Sequence, residues 1–280
     1  MKRAKYIMVK LEKISEKTKN EILEFLYQDE LMNVFMIHYF ESGKGQIGSV
    51  YIEKYGANIT SIVHIKDDGN SHFTTYYATN KSGLKAIARL LKTLNLKDIL
   101  LAGKFEEVEY ILANMDLKKD LYLNSYYKLN LQNYIKIKMD QNIIFRRARN
   151  DVCDLNKIKE YLISFFEADT ELAIERITNE RKLNDEIDNG IYILEVQNQA
   201  IGMARFYGQS DKFIDVTTLY VEEQFRGKGF GKILMGLMID VAISTNKIPI
   251  LQTSKDNLAA RKLYEQLGFE VVCDYTFQFL

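Results

Sequence analysis

The sequence predicts an α/β (α+β) protein made of two similarly ordered halves. Three observations carry this. Strand-like and helix-like segments alternate along the chain. The order of segments in residues 1–130 recurs in residues 143–280. The 280 residues, 47% of them hydrophobic, exceed the usual single domain and can fill two cores. The halves share little sequence, so any internal duplication survives as element order.

In the first half, residues 17–43 carry a helical pattern. Strands follow near 48–54, 58–65 and 71–78, then a helix near 84–95. "KDILLA" (97–102) is a strand, 105–115 a helix, and strands lie near 121–131. The junction is "LQNYIKIKMDQN", 131–142. It contains no Gly, Pro or Ser, which predicts a continuous strand or short connection and not a flexible linker. The expected domains are 1–135 and 136–280.

In the second half, "IIFRRAR" (143–149) reads as a strand. Residues 151–166 place Val152, Leu155, Ile158 and Leu162 on one helical face. A second helix is expected over 171–183. "GIYILEV" and "AIGMARFYG" (190–196 and 200–208) form a hairpin across "QNQ". "KFIDVTTLYV" (212–221) is rich in β-branched and aromatic residues, as strands are. Then comes "QFRGKGFG", 224–231. Beyond it Phe230, Ile233, Leu234, Leu237, Met238, Val241 and Ala242 recur at helical spacing. A strand at 248–253, a helix at 257–267 stopped by Gly268 in a left-handed cap, and the final strand complete the chain.

Composition narrows the function. The net charge is zero; residues 1–130 carry 19 basic and 16 acidic residues, the rest 19 and 22. Neither half has the basic excess of a nucleic-acid binder. Cys153 and Cys273 are too few for a disulfide framework, and His38, His64 and His72 have no metal-ligand spacing, so no metal is expected. The basic N-terminus lacks the apolar run of a signal peptide. No window approaches the roughly 18 apolar residues of a membrane span. A cytoplasmic protein with no membrane or nucleic-acid partner is expected; a homodimer is allowed.

A strand, a glycine-rich turn and a helix start make an anion site. First-turn N–H groups lack intrahelical acceptors, and glycine lets the backbone come close. A tight strand-to-helix turn would use glycine too. The spacing is neither that of a Walker A loop nor G-x-G-x-x-G.

At this point the residues resemble a known family. "LYVEEQFRGKGFGKILM" (219–235) is similar to the acyl-CoA motif of the GNAT acetyltransferase superfamily, whose core [Q/R]-x-x-G-x-[G/A] is met by Gln224 through Gly229. "FRRARNDVCDLNKI" (145–158) and "NLAARKLYEQLGFE" (257–270) resemble that family's first strand and helix and its N-x-x-A-x-x-L-Y-x-x-x-G-F signature. The close match covers 145 to 280. The resemblance implies two GNAT-like domains, each a mixed, mostly antiparallel twisted sheet flanked by helices.

It also implies an N-acetyltransferase that moves an acetyl group from acetyl-CoA, its co-substrate, to a primary amine of a small molecule or peptide. Leu219, Tyr220 and Val221 would line the acyl arm, with a backbone N–H polarising the thioester. Gln224, Phe225, Arg226, Gly227, Lys228, Gly229, Phe230, Gly231 and Lys232 would surround the pyrophosphate. Asn257 would reach the pantetheine arm, although capping the last helix also explains it. Tyr264 would be the general acid for the departing thiolate, although a tyrosine at that spacing also suits a helix–sheet core. Asp215 is the candidate base; a structural carboxylate is the other reading. Glu167, Asp169 and Glu171 could face the acceptor, and Glu222 and Glu223 read as surface residues.

The first half lacks the motif. "YATNKSGLKAIARLL" (77–91) falls where the glycine loop would be, with Gly83 alone; Leu112 stands for Tyr264 and Asp116 for Gly268. It reads as a degenerate copy without a CoA site. Two other functions fit parts of the pattern. One is a non-catalytic acyl-CoA-binding regulatory module. The other is an aminoacyl-transferase of the tandem peptidoglycan type, against which the intact glycine loop argues.

Overall fold

The computed structural model describes residues 7–42, 47–67, 71–138 and 142–280. The chain divides into two compact units, one of residues 1–126 with 272–280, the other of 127–271. The last strand is therefore divided, its end belonging to the first unit.

The first unit runs β1 (Val9–Lys10), α1 (Glu16–Leu26), α2 (Val34–Ser42), β2 (Ser49–Tyr55), β3 (Asn58–Asp67), β4 (His72–Ala78), α3 (Lys81–Leu94), β5 (Ile99–Lys104), α4 (Phe105–Asn114) and the start of β6 (Asn124–Leu129). β1 to β4 pair antiparallel in sequence order, and β4 pairs β5 in parallel. Tyr275–Phe279 of the final strand pair antiparallel with β5.

Alternation along the strands splits the core. Val50, Ile52 and Ile62 pack with α1 and α2, while Tyr51 and Val63 pack with α3 and α4. The helix expected over 17–43 is broken. A 3₁₀ turn at Tyr27–Asp29 follows α1, and the Asn33 amide donates to the Leu26 carbonyl at 2.8 Å, satisfying an orphan carbonyl at the helix end.

The second unit runs β7 (Ile143–Arg147), α5 (Val152–Phe166), α6 (Glu171–Thr178), α7 (Glu180–Gly190), β8 (Ile191–Val196), β9 (Gln199–Gln209), β10 (Phe213–Val221), α8 (Phe230–Ser244), β11 (Ile248–Ser254) and α9 (Leu258–Gln266), then enters β12 (Phe269–Phe279). β7 to β10 are antiparallel neighbours, and β10 pairs β11 in parallel. Its element order repeats that of the first unit, with three helices in place of two between the first two strands. Helix α8 covers one face of this sheet and α5 with α7 the other. The single helix expected over 171–183 is two, because the Asn179 side chain accepts from the Lys182 N–H and starts α7.

The junction departs from expectation. Residues 131–133 turn, and the chain then lies unpaired along α8. The Tyr134 hydroxyl reaches the Gly236 carbonyl and Asp240, each at 3.0 Å. A Cβ at Gly236 would stand 2.6 Å from Ile137. The apolar residues of this segment cover a helix, so they leave no sheet pattern. Residues 139–141 of the expected junction lie outside the described residues. Gly268, read as a left-handed cap, has φ +92 and also meets the Asn133 backbone.

Candidate active site

The site forms where β10 gives way to α8. β10 carries a bulge. Thr217 faces Arg205 on β9, yet Tyr220 faces Met203, and the extra residue includes Thr218 at φ +50. Gly202 accommodates the distortion, since a Cβ there would lie 2.4 Å from the Tyr220 carbonyl. The bulge turns the end of β10 away from regular pairing just before the glycine loop.

A 3₁₀ turn at Glu223–Phe225 leads into the loop. Gly227 and Gly229 have φ +74 and +86, which L side chains rarely adopt. A Cβ at either would touch nothing within 4 Å. The glycines thus serve backbone conformation, and the space before them is open. Gly229 is the N-cap of α8 and makes no side-chain cap; the first intrahelical bond is Ile233 N–H to Gly229 at 3.1 Å. The first-turn N–H groups and the positive end of the helix dipole are left without a side-chain cap, an arrangement that can accept an anion.

The loop is braced from within. Arg226 donates through Nε to the Val221 carbonyl at 3.0 Å and lies over the Tyr220 ring. Phe225 and Phe230 meet edge to face and pack on the α8 core; the Lys228 ammonium lies over Phe225. Gln224 donates to Glu222 at 2.9 Å. Glu222 is not a loose surface residue: it accepts from the buried Tyr161 hydroxyl at 3.0 Å and pairs with Lys157 at 3.2 Å. Burial, then the nearby Glu222 charge, raises the Tyr161 pKa. Tyr161 and Lys157 belong to no motif, so this tie leaves no signal in the sequence.

Tyr264 sits beside the loop by way of its neighbour. A Cβ at Gly231 would stand 3.3 Å from Leu263 and 4.0 Å from Leu219, so α9, the end of β10 and the start of α8 converge there. The Tyr264 ring packs edge to face on Phe269 and tilts against Tyr127. Its hydroxyl has no hydrogen-bond partner among the described residues. Burial, with Tyr127 beside it, pushes its pKa up to about 12, so the phenol keeps its proton at neutral pH. Asn257 caps α9, accepting from the Ala260 N–H at 3.1 Å.

Asp215 keeps different company. It is 2% exposed and lies between Ile214 and Val216, which face the α8 core, so its side chain points to the other face. Parallel pairing of β10 with β11 ends at this residue, opposite Ile250. Its carboxylate accepts from Gln252 at 3.3 Å and feels Arg205, which is itself held by Glu186 and by Thr218 at 2.9 Å. Burial outweighs both and pushes the pKa up to about 7. Glu167 and Glu171 are exposed. Among the described residues no group of three or more His, Cys, Asp or Glu could hold a metal, and no helix is long and apolar enough to cross a membrane.

A family model described as the acetyltransferase (GNAT) family matches residues 155–269, from α5 to the first residue of β12. The match marks residues 155–269 of the chain as a GNAT-family region. A curated relative, N-acetylaspartate synthetase of Danio rerio, is 33% identical over 90 residues, 30% of this chain. The chain spans about a third of that relative's length, 32%. An acetyltransferase from the GNAT family of Colwellia psychrerythraea aligns over 98% of this chain and 100% of its own, with TM-score 0.61 and 14% identity. A tandem GNAT protein from the clavulanic acid biosynthesis pathway aligns over 98% of this chain and 97% of its own, with TM-score 0.62 and 11% identity. At such identities these two establish shared fold alone.

Proposed function

We propose that the second unit is an N-acetyltransferase that takes its acetyl group from acetyl-CoA and gives it to a primary amine. The observation that carries this reading is the uncapped start of α8. Two left-handed glycines open onto free space before N–H groups that no side chain satisfies. A pyrophosphate fits that chemistry, and an acyl-CoA carries one.

The chain's residues would divide the work. The backbone of Leu219–Val221, freed by the bulge at Thr218, would hold the acyl arm and polarise the thioester carbonyl. Asp215, with its pKa near 7, would accept the amine's proton, directly or through a water. Tyr264 would donate its proton to the departing thiolate. A phenol with an unpartnered hydroxyl and a high pKa remains protonated until that moment.

Aspartate is the first acceptor to test, because the 33%-identical relative is named for the acetylated amino acid. Thiol release from acetyl-CoA should be followed with aspartate, other amino acids, alkylamines and short peptides. Stoichiometric acetyl-CoA binding without thiol release across the panel would favour the non-catalytic reading. No acetyl-CoA binding at all would overturn the proposal. The first unit, with its matching element order, is proposed as a GNAT-like domain that has lost this site.

A further inference from the structure

The first unit holds a pocket of its own. β4 and β5 pair in parallel as far as Thr75 and Ala102, and between the ends beyond that pairing lies a cavity of about 20 Å³. That is room for one or two water-sized groups. With its mouth counted, the recess holds about 390 Å³. Asn33, Tyr76, Gly103, Lys104, Glu107 and Tyr275 are among its walls.

The lining is short of donors. Asn33 is 1% exposed, and its amide nitrogen donates to the Leu26 carbonyl. That bond fixes the amide and leaves Oδ1 buried with no donor. The Tyr76 hydroxyl is equally buried and makes no hydrogen bond of ordinary geometry, although it lies near enough to Glu107 for each to affect the other's protonation. Its position is built in. A Cβ on Gly103 would stand 2.3 Å from the hydroxyl oxygen, so the ring lies across the β5 backbone where only glycine leaves room.

At the mouth Lys104 pairs with Asp29 at 3.2 Å. Glu107 stands beside them, half buried, its pKa raised by burial against the pull of Lys104. Two carboxylates face one ammonium, so the mouth carries a net negative charge. Buried oxygen acceptors without donors cost free energy comparable to a lost hydrogen bond each. A small group rich in N–H donors would satisfy both oxygens, and the net negative charge of the mouth favours one that is positive.

We propose that this pocket binds a primary ammonium group, the protonated head of a small alkylamine, with its carbon tail toward the mouth. A carboxylate or phosphate would meet the Asn33 oxygen and the Glu107 carboxylate with repulsion. The site shares no residue with the acetyl-transfer site, so the two readings stand or fall separately.

The test is titration of the full-length protein with methylammonium chloride by calorimetry, with potassium chloride matching ionic strength and sodium acetate as the anionic counterpart. Saturable methylammonium binding and no acetate binding are expected. Glu107→Gln removes the charge and Tyr76→Phe the hydroxyl, with little change of volume. Each should weaken binding about tenfold or more, the loss expected for a hydrogen bond to a charged group. No saturable binding, acetate binding in its place, or unchanged affinity in both variants would overturn the proposal, the last by placing the amine elsewhere. Should Tyr76→Phe fail to fold, Glu107→Gln decides alone, because its side chain sits at the mouth.

Discussion

Asp215 is a carboxylate that the fold makes expensive to ionise. Its folded pKa of about 7 lies above the ordinary value of 3.8, the reverse of a salt-bridged aspartate. The sign follows from linkage. Below about pH 4 the group is protonated folded and unfolded, and costs nothing. As pH rises from about 4 to 7 the unfolded chain releases this proton and the folded chain holds it, so stability falls; above 7 the loss is complete. Asp215→Asn should therefore raise thermal stability more at pH 8 than at pH 4, by a few kcal/mol at most. The same substitution should abolish the rise of kcat/KM with pH through neutrality. An unaltered pH–rate profile would remove Asp215 as the base. Tyr264→Phe takes away one unpartnered hydroxyl and leaves the ring contacts with Phe269 and Tyr127. It should lower turnover by about 10²–10⁴ while acetyl-CoA affinity holds. Single-turnover kinetics is the deciding measurement, since slow product release would mask the loss. An unaffected chemical step would make this tyrosine a packing residue.

The two units use one element, a helix after the fourth strand, in opposite ways. In the first, Asn80 caps α3 by accepting from the Gly83 N–H at 3.1 Å, so the helix start is satisfied by its own chain. Gly83 has ordinary φ and is there for packing: a Cβ would meet Ala78 at 2.9 Å. In the second, Gly229 offers no cap and the glycines face open space. The cap that stabilises α3, typically worth about 1 kcal/mol, is absent at the start of α8, where the anion site is proposed. Gly227→Asp and Gly229→Asp should each place a carboxylate before those N–H groups. Acetyl-CoA affinity should then fall more than about tenfold, equivalent to 1.4 kcal/mol, with the fold intact by circular dichroism. Retained affinity would mean that the loop is not the phosphate cradle. The comparison extends to α4 and α9. Asp116 keeps a left-handed φ of +61 where Gly268 has +92, as aspartate can, while Leu112 is core where Tyr264 keeps a free hydroxyl.

At the scale of the molecule, the units are not cut where the sequence halves meet. Tyr275–Phe279 pair with Leu100–Lys104, and Lys119 reaches the Phe279 carbonyl at 3.0 Å, all within the first unit. Removing residues 272–280 would strip one neighbour from β5 and leave Tyr126 without the ring of Tyr275. Amide hydrogen exchange at Leu100–Lys104 should lose protection in that truncation, and the first unit should melt earlier. Protection unchanged from the full chain would show that β12 contributes little there. Acetyl-CoA binding should be less affected, because the loop, β10 and α9 lie before residue 272.

Sequence alone determined the order of strands and helices in both halves, because period and turn residues are local signals. It also placed the glycine loop between strand and helix, since glycine is the residue for left-handed backbone, and assigned the cap roles of Asn257 and Gly268. Its misreadings were of helix breaks set by the side chains of Asn33 and Asn179, and of places where a side chain's partner lies far along the chain. The break before α2, fixed by Asn33, and the course of 131–138 across α8 leave no periodic trace. Nor could spacing reveal that Asp215 is buried with Gln252, that Tyr161 holds Glu222, or that Gly103 is empty because the Tyr76 ring lies there. Burial and pKa depend on desolvation by the assembled fold, and that quantity exists only once distant strands have come together.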